Sequence, residues 1–117
     1  VARLYPSFQT QVRVEWDGIH GTIDVVPPSG MLIEEFKATW QGEERAIRDG
    51  WRWEAQVKAY LTMIGLSSAK LRVLHVCPYP RTRTYLLTYT RRELAENWMM
   101  VRQHRDWMEN QNRRVST

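Results

Sequence analysis

Gly21-Thr22-Ile23-Asp24-Val25-Val26 and, after a turn, Leu32-Ile33-Glu34-Glu35-Phe36-Lys37-Ala38 decide how this chain of 117 residues is read. Both segments have the β-branched and aromatic content of strands, yet both carry carboxylates where a strand prefers apolar residues. Asp24 sits between Ile23 and Val25, so its side chain points to the face opposite theirs. Glu35 and Lys37 are two apart and project from one face. A strand bulge would instead bring Glu34 inward, but the Glu-x-Lys spacing favours Glu35. With the two strands side by side, one carboxylate from each converges on a point with a lysine beside it. Such a pair suits a hard cation, Mg²⁺ or Mn²⁺, and a lysine next to a metal-activated water suits phosphodiester hydrolysis. The same residues also suit a solvated ion-pair ladder on an exposed sheet face.

The neighbouring sequence supplies the rest of an α/β domain. Val12, Val14 and Trp16 alternate with Arg13 and Glu15, the period of a half-buried strand. Asp17-Gly18 is a hairpin turn, and a second strand runs from Ile19 to about Val26, ending at Pro27-Pro28. Ser29-Gly30 turns the chain into a third strand, Met31–Thr39. A helix follows from about Glu43 to Ile64, weakened at Gly50 so that it begins properly at Trp51, with Gly65 as C-cap. Trp53, Val57, Tyr60, Leu61 and Ile64 define its buried face. Ala69–Cys77 is an internal fourth strand and Thr82–Thr90 a fifth. A last helix spans about Arg92 to Asn110, with a Thr90/Glu93 capping box and a stripe of Leu94, Trp98, Val101, Arg105 and Met108. The order β-β-β-α-β-β-α predicts one mixed-sheet domain over residues 1–117.

Within the first helix, Gln56-Val57-Lys58-Ala59-Tyr60 puts Gln56 and Tyr60 on one face. Asp24, then Glu35-x-Lys37, then Gln56-x-x-x-Tyr60, in this order and at these intervals, resembles the PD-(D/E)-x-K nuclease superfamily. More narrowly it resembles the RecB-like branch, over about residues 11–78. The resemblance implies a restriction-endonuclease-like core and metal-dependent cleavage of DNA, by exonuclease or endonuclease action. It further implies that Asp24 and Glu35 bind Mg²⁺ or Mn²⁺, that the Phe36 carbonyl is a further ligand, and that Lys37 is the catalytic lysine. Gln56 and Tyr60 would position the lysine and the nucleic-acid backbone, and Lys58 is a candidate phosphate contact. The core helix that usually opens this fold is missing or reduced, because Val1–Thr10 is short and broken by Pro6. That departure leaves open a larger parent protein. The proline before the aspartate is also absent. His20 lies four strand residues from Asp24, roughly 13 Å away, and reads as a surface or substrate-side residue.

Charge places the substrate side. The chain carries 17 Lys and Arg against 13 Asp and Glu, and residues 55–92 hold seven basic side chains and no acidic one. There Lys70, Arg72, Arg81, Arg83, Arg91 and Arg92 interleave with Tyr79, Tyr85 and Tyr89, a composition suited to phosphates and unpaired bases. Tyr79, Arg81 and Arg83, around a loop, are the candidate DNA contacts; Trp40 either stacks on a base or packs the rim. The partner expected is DNA, single-stranded or as duplex ends, with a homo-oligomer possible. Cys77 is the only cysteine, which excludes disulfides, a four-cysteine zinc site and an iron–sulfur cluster on cysteines alone. His75 and His104 read as structural. No apolar run approaches a membrane span and no signal peptide is evident, so the expectation is a cytoplasmic domain without membrane contact. Repair, recombination, phage replication and defence are all compatible. Two rival readings remain: a catalytically silent nucleic-acid-binding module of the same fold, and a structural domain whose acid–lysine ladder is ordinary surface.

Overall fold

A computed structural model describes residues 7–42, 45 and 50–116. The elements follow in the predicted order: β1 Gln9–Trp16, β2 Ile19–Val26, β3 Ile33–Thr39, α1 Trp51–Ile64, β4 Ser68–His75, β5 Arg81–Thr88 and α2 Arg91–Ser116. The strands form one sheet in sequence order. β1–β2, β2–β3 and β4–β5 are antiparallel, whereas β3 and β4 are parallel, with Ile33 opposite Ala69 and Thr39 opposite His75. A parallel neighbour needs a crossover of a dozen or more residues, and the segment containing α1 supplies it.

Ile23, Val26 and Ile33 from the sheet, Val57 and Leu61 from α1, and Ala69 from β4 form a core of fully buried side chains, with Tyr89 at its edge. α1 therefore lies on the sheet by one apolar stripe. Gly65 ends it in the left-handed region at φ 79°, donating its N–H to the Leu61 carbonyl at 2.8 Å. At the start of α2 the predicted capping box is closed both ways: the Glu93 N–H donates to Thr90 Oγ1 and the Thr90 N–H to Glu93 Oε1, each at 3.1 Å. α2 packs on α1, where Asn97 Nδ2 donates to the Ala55 carbonyl at 3.0 Å. Farther on, Arg102 meets the Asp17 carboxylate at 2.8 Å and Arg105 donates to the Asp17 carbonyl, tying the β1–β2 turn to α2.

Some boundaries differ from expectation. α2 continues six residues past Asn110, since Gln-Asn-Arg-Arg-Val-Ser contains no breaker. Met108, placed on the inward stripe by spacing, is exposed beyond the Arg105–Asp17 contact. β5 stops at Thr88, since Thr90 is taken up as the cap of α2. Most of the helix portion before Gly50, and the N-terminal six residues where a reduced first helix was expected, lie outside the described residues. Among the described residues no helix is long and apolar enough to cross a membrane.

Candidate active site

β2 and β3 pair at one register position, Val25↔Glu34. Immediately beyond it the two carboxylates take over the bonding. Glu35 Oε1 accepts the backbone N–H of Asp24 at 2.9 Å, and Asp24 Oδ2 accepts the backbone N–H of Phe36 at 2.9 Å. Each acid thus satisfies a donor of the other's strand, which fixes both side chains at the point where the strands part. Glu35 is only 2% exposed. Its pKa is pushed up from 4.5 to about 7, first by burial and then by the facing Asp24 carboxylate; the Asp24 N–H and, least, Lys37 pull it back.

On the α1 side of β3, Lys37 Nζ donates to Gln56 Oε1, and Gln56 Nε2 donates to the Tyr60 hydroxyl at 2.9 Å. An ammonium can only donate, so the amide must turn its carbonyl to Lys37 and its NH₂ to Tyr60. Burial raises the Tyr60 pKa, with the Glu35 charge adding to it, against the Thr22 amide and Gln56. Adjacent strands and one helix face therefore bring together all five expected residues, Asp24, Glu35, Lys37, Gln56 and Tyr60. Two further participants, the Thr22 amide and Gly21, belong to no motif of the sequence. The signal for Gly21 is that of an isolated glycine in a strand pattern.

Glu34, the alternative to Glu35, is also buried but turns to the other face of the sheet. Arg72 holds it there through Nη2 at 2.7 Å and Nε at 3.2 Å. Phe36 joins the site through its N–H, while the residue is 51% exposed, with its ring 6.0 Å from the Arg72 guanidinium.

The expected phosphate contacts fall elsewhere. Lys58 lies about 200° around α1 from Gln56, and its ammonium sits 5.0 Å over the Tyr89 ring. Tyr89 in turn donates to Glu54 at 2.9 Å. Arg81 donates to the carbonyls of Cys77 at 2.9 Å and Tyr79 at 3.1 Å and stacks 5.2 Å over the Tyr79 ring, so it braces its own loop. Arg83 is on β5, two strands from the carboxylates. Tyr79 and Trp40 are both exposed, by 63% and 76%, and their segments leave the same end of the sheet, where Thr39 pairs with His75. His20 lies on the surface, 3.8 Å from Glu15. His75 is buried with Nδ1 3.1 Å from the Gln41 carbonyl. It lines an apolar cavity of about 140 Å³ with Trp53, Leu71, Val73, Tyr85 and Leu87, on the β4–β5 side of the sheet, where Leu71 and Val73 pair with Glu35 and Lys37 of β3.

The pair fits a small divalent cation. Two abutting carboxylates, one with a weakened hold on its charge, are relieved by a cation between them. Among the described residues no cluster of three or more His, Cys, Asp or Glu is present. A cation held by these two carboxylates would take its remaining ligands from water or backbone carbonyls, as Mg²⁺ commonly does.

No family model and no curated protein matches the sequence. Solved structures do match in shape. The phage-related exonuclease from Haemophilus somnus 129PT superposes with a TM-score of 0.56 at 17% identity, over 78% of this chain and 55% of its own. The chain shares the fold of that exonuclease over this span. The crystal structure of SSO0001 superposes with a TM-score of 0.54 at 17% identity, over 80% of this chain and 50% of its own. The chain spans about half the length of the structures it matches.

Proposed function

We propose that this domain is a divalent-metal-dependent deoxyribonuclease of the RecB-like branch. The observation that carries the reading is the reciprocal Asp24–Glu35 pair with Lys37 beside it. Asp24 and Glu35 would hold Mg²⁺ or Mn²⁺, with the Phe36 carbonyl as a candidate third protein ligand. When bound, the metal would lower the pKa of a water and offset charge on the phosphate. Lys37, tethered through one donor to Gln56, keeps its remaining N–H donors for a water or a phosphate oxygen in the same space. Gln56 and Tyr60 orient that ammonium by a chain of bonds whose polarity has one solution. The exposed Trp40 and Tyr79 at one end of the sheet suit stacking on unpaired bases. The exonuclease name of one structural neighbour supports the same reaction class.

A binding module without cleavage is favoured by one observation: among the described residues no third His, Cys, Asp or Glu joins the two carboxylates. Labelled single-stranded and duplex DNA incubated with Mg²⁺ or Mn²⁺ separates the two readings. Cleavage abolished by EDTA and by Asp24→Asn supports the nuclease. Salt-dependent binding with no cleavage under any metal supports the module.

A further inference from the structure

We infer that Gly21 is a positioning residue for Lys37, acting through Tyr60 and Gln56 by having no side chain; its bearing on catalysis rests on the nuclease reading above. Gly21 lies inside β2, three residues before Asp24. Its φ is not in the left-handed region that Gly18, Gly30 and Gly65 occupy, so the backbone there is open to any residue. Glycine weakens a strand interior and marks a place where another group approaches closely. Tyr60 is that group. A Cβ at position 21 would lie 2.5 Å from Tyr60 Cε1, 2.9 Å from Cδ1 and 3.1 Å from Met63 Cε.

The Met63 methyl is the free end of a flexible side chain and can swing aside. The Tyr60 ring cannot yield as cheaply, because its hydroxyl is held 2.9 Å from Gln56 Nε2 and faces the Thr22 amide. Restoring ordinary carbon–carbon contact requires the ring to move by about 1 Å, enough to carry a 2.9 Å hydrogen bond out of range. Gln56 then loses the partner that fixes its amide, and Lys37 loses a fixed acceptor. The bare Cα of Gly21 therefore sets where the lysine ammonium stands, two side chains away.

The test is a double-mutant cycle of Gly21→Ala with Tyr60→Ala, read by thermal midpoint, by the NMR resonance of the Gln56 side-chain amide, and by DNA cleavage. Gly21→Ala is expected to lower the midpoint, shift the Gln56 amide, and slow single-turnover cleavage about 100-fold. DNA binding in EDTA should stay within about twofold. In the Tyr60→Ala background the added methyl meets no ring, and the midpoint should not fall further. Should Gly21→Ala alone fail to fold, recovery of a folded double variant supports the same inference. An equal loss of midpoint in both backgrounds, or an unmoved Gln56 amide, overturns it. A wild-type protein that never cuts DNA retires the nuclease reading instead, while the thermal cycle and the amide still decide the role of Gly21.

Discussion

Glu35→Gln should stabilise the metal-free protein at alkaline pH, the reverse of what removing a buried, hydrogen-bonded side chain usually does. Glu35 is 2% exposed, and its pKa is raised from 4.5 to about 7, by burial first and also by the Asp24 charge, against the Asp24 N–H. A carboxyl whose pKa is raised on folding binds its proton more tightly in the folded chain. Its contribution to stability is fully present below pH 4.5 and is lost as the pH climbs through about 7. The difference amounts to about 3 kcal/mol. Glutamine keeps an oxygen to accept the Asp24 N–H and offers an NH₂ to the Asp24 carboxylate, with no charge to desolvate. Urea unfolding in EDTA should therefore show the variant about 1–3 kcal/mol more stable than wild type at pH 8 and within about 0.5 kcal/mol of it at pH 4. A variant destabilised equally at both pH values would refute the reasoning, because it would mean that Glu35 is not held against its own charge.

Three further outcomes follow from the same geometry. Mg²⁺ or Mn²⁺ at about 100 times its dissociation constant should stabilise the wild type at pH 8 by about 2.7 kcal/mol, seen as a rise in melting temperature, and Asp24→Asn should abolish that rise. Arg72→Ala, which leaves the buried Glu34 carboxylate without its guanidinium, should cost about 1–3 kcal/mol in urea unfolding while leaving metal-induced stabilisation intact. Thr90→Ala opens the capping box of α2 and should cost about 1 kcal/mol, with no effect on metal binding.

Much of the fold is carried by local chemistry that a sequence displays openly. Asp17-Gly18 makes the hairpin, Gly65 ends α1, and Thr90 with Glu93 begins α2, because each depends on residues within a few positions of one another. Strand parity puts Glu35 and Lys37 together, and helical spacing puts Gln56 with Tyr60. Spacing does not show how β2 and β3 part after Val25 and Glu34, so the exchange of carboxylate–amide bonds between Asp24 and Glu35 is out of its reach. Nor does it show that Glu34 has its own partner 38 residues downstream. Charge alone marks Lys58 for a phosphate, although its helical position sets it opposite Gln56. A basic loop marks Arg81 in the same way, yet Arg81 holds the carbonyls of that loop. In both cases a nearer π-face or carbonyl engages a cation that composition offers to a phosphate.

Lys37 carries the most direct test of the site. Single-turnover cleavage of labelled DNA by Lys37→Ala, with Mn²⁺ binding measured by calorimetry on the same sample, isolates the lysine from the carboxylates. The expected result is Mn²⁺ affinity within about threefold of wild type and cleavage slower by about 10²–10⁴-fold. A Lys37→Ala protein that binds the metal and cuts at the wild-type rate would contradict the assignment of this site as the nuclease centre.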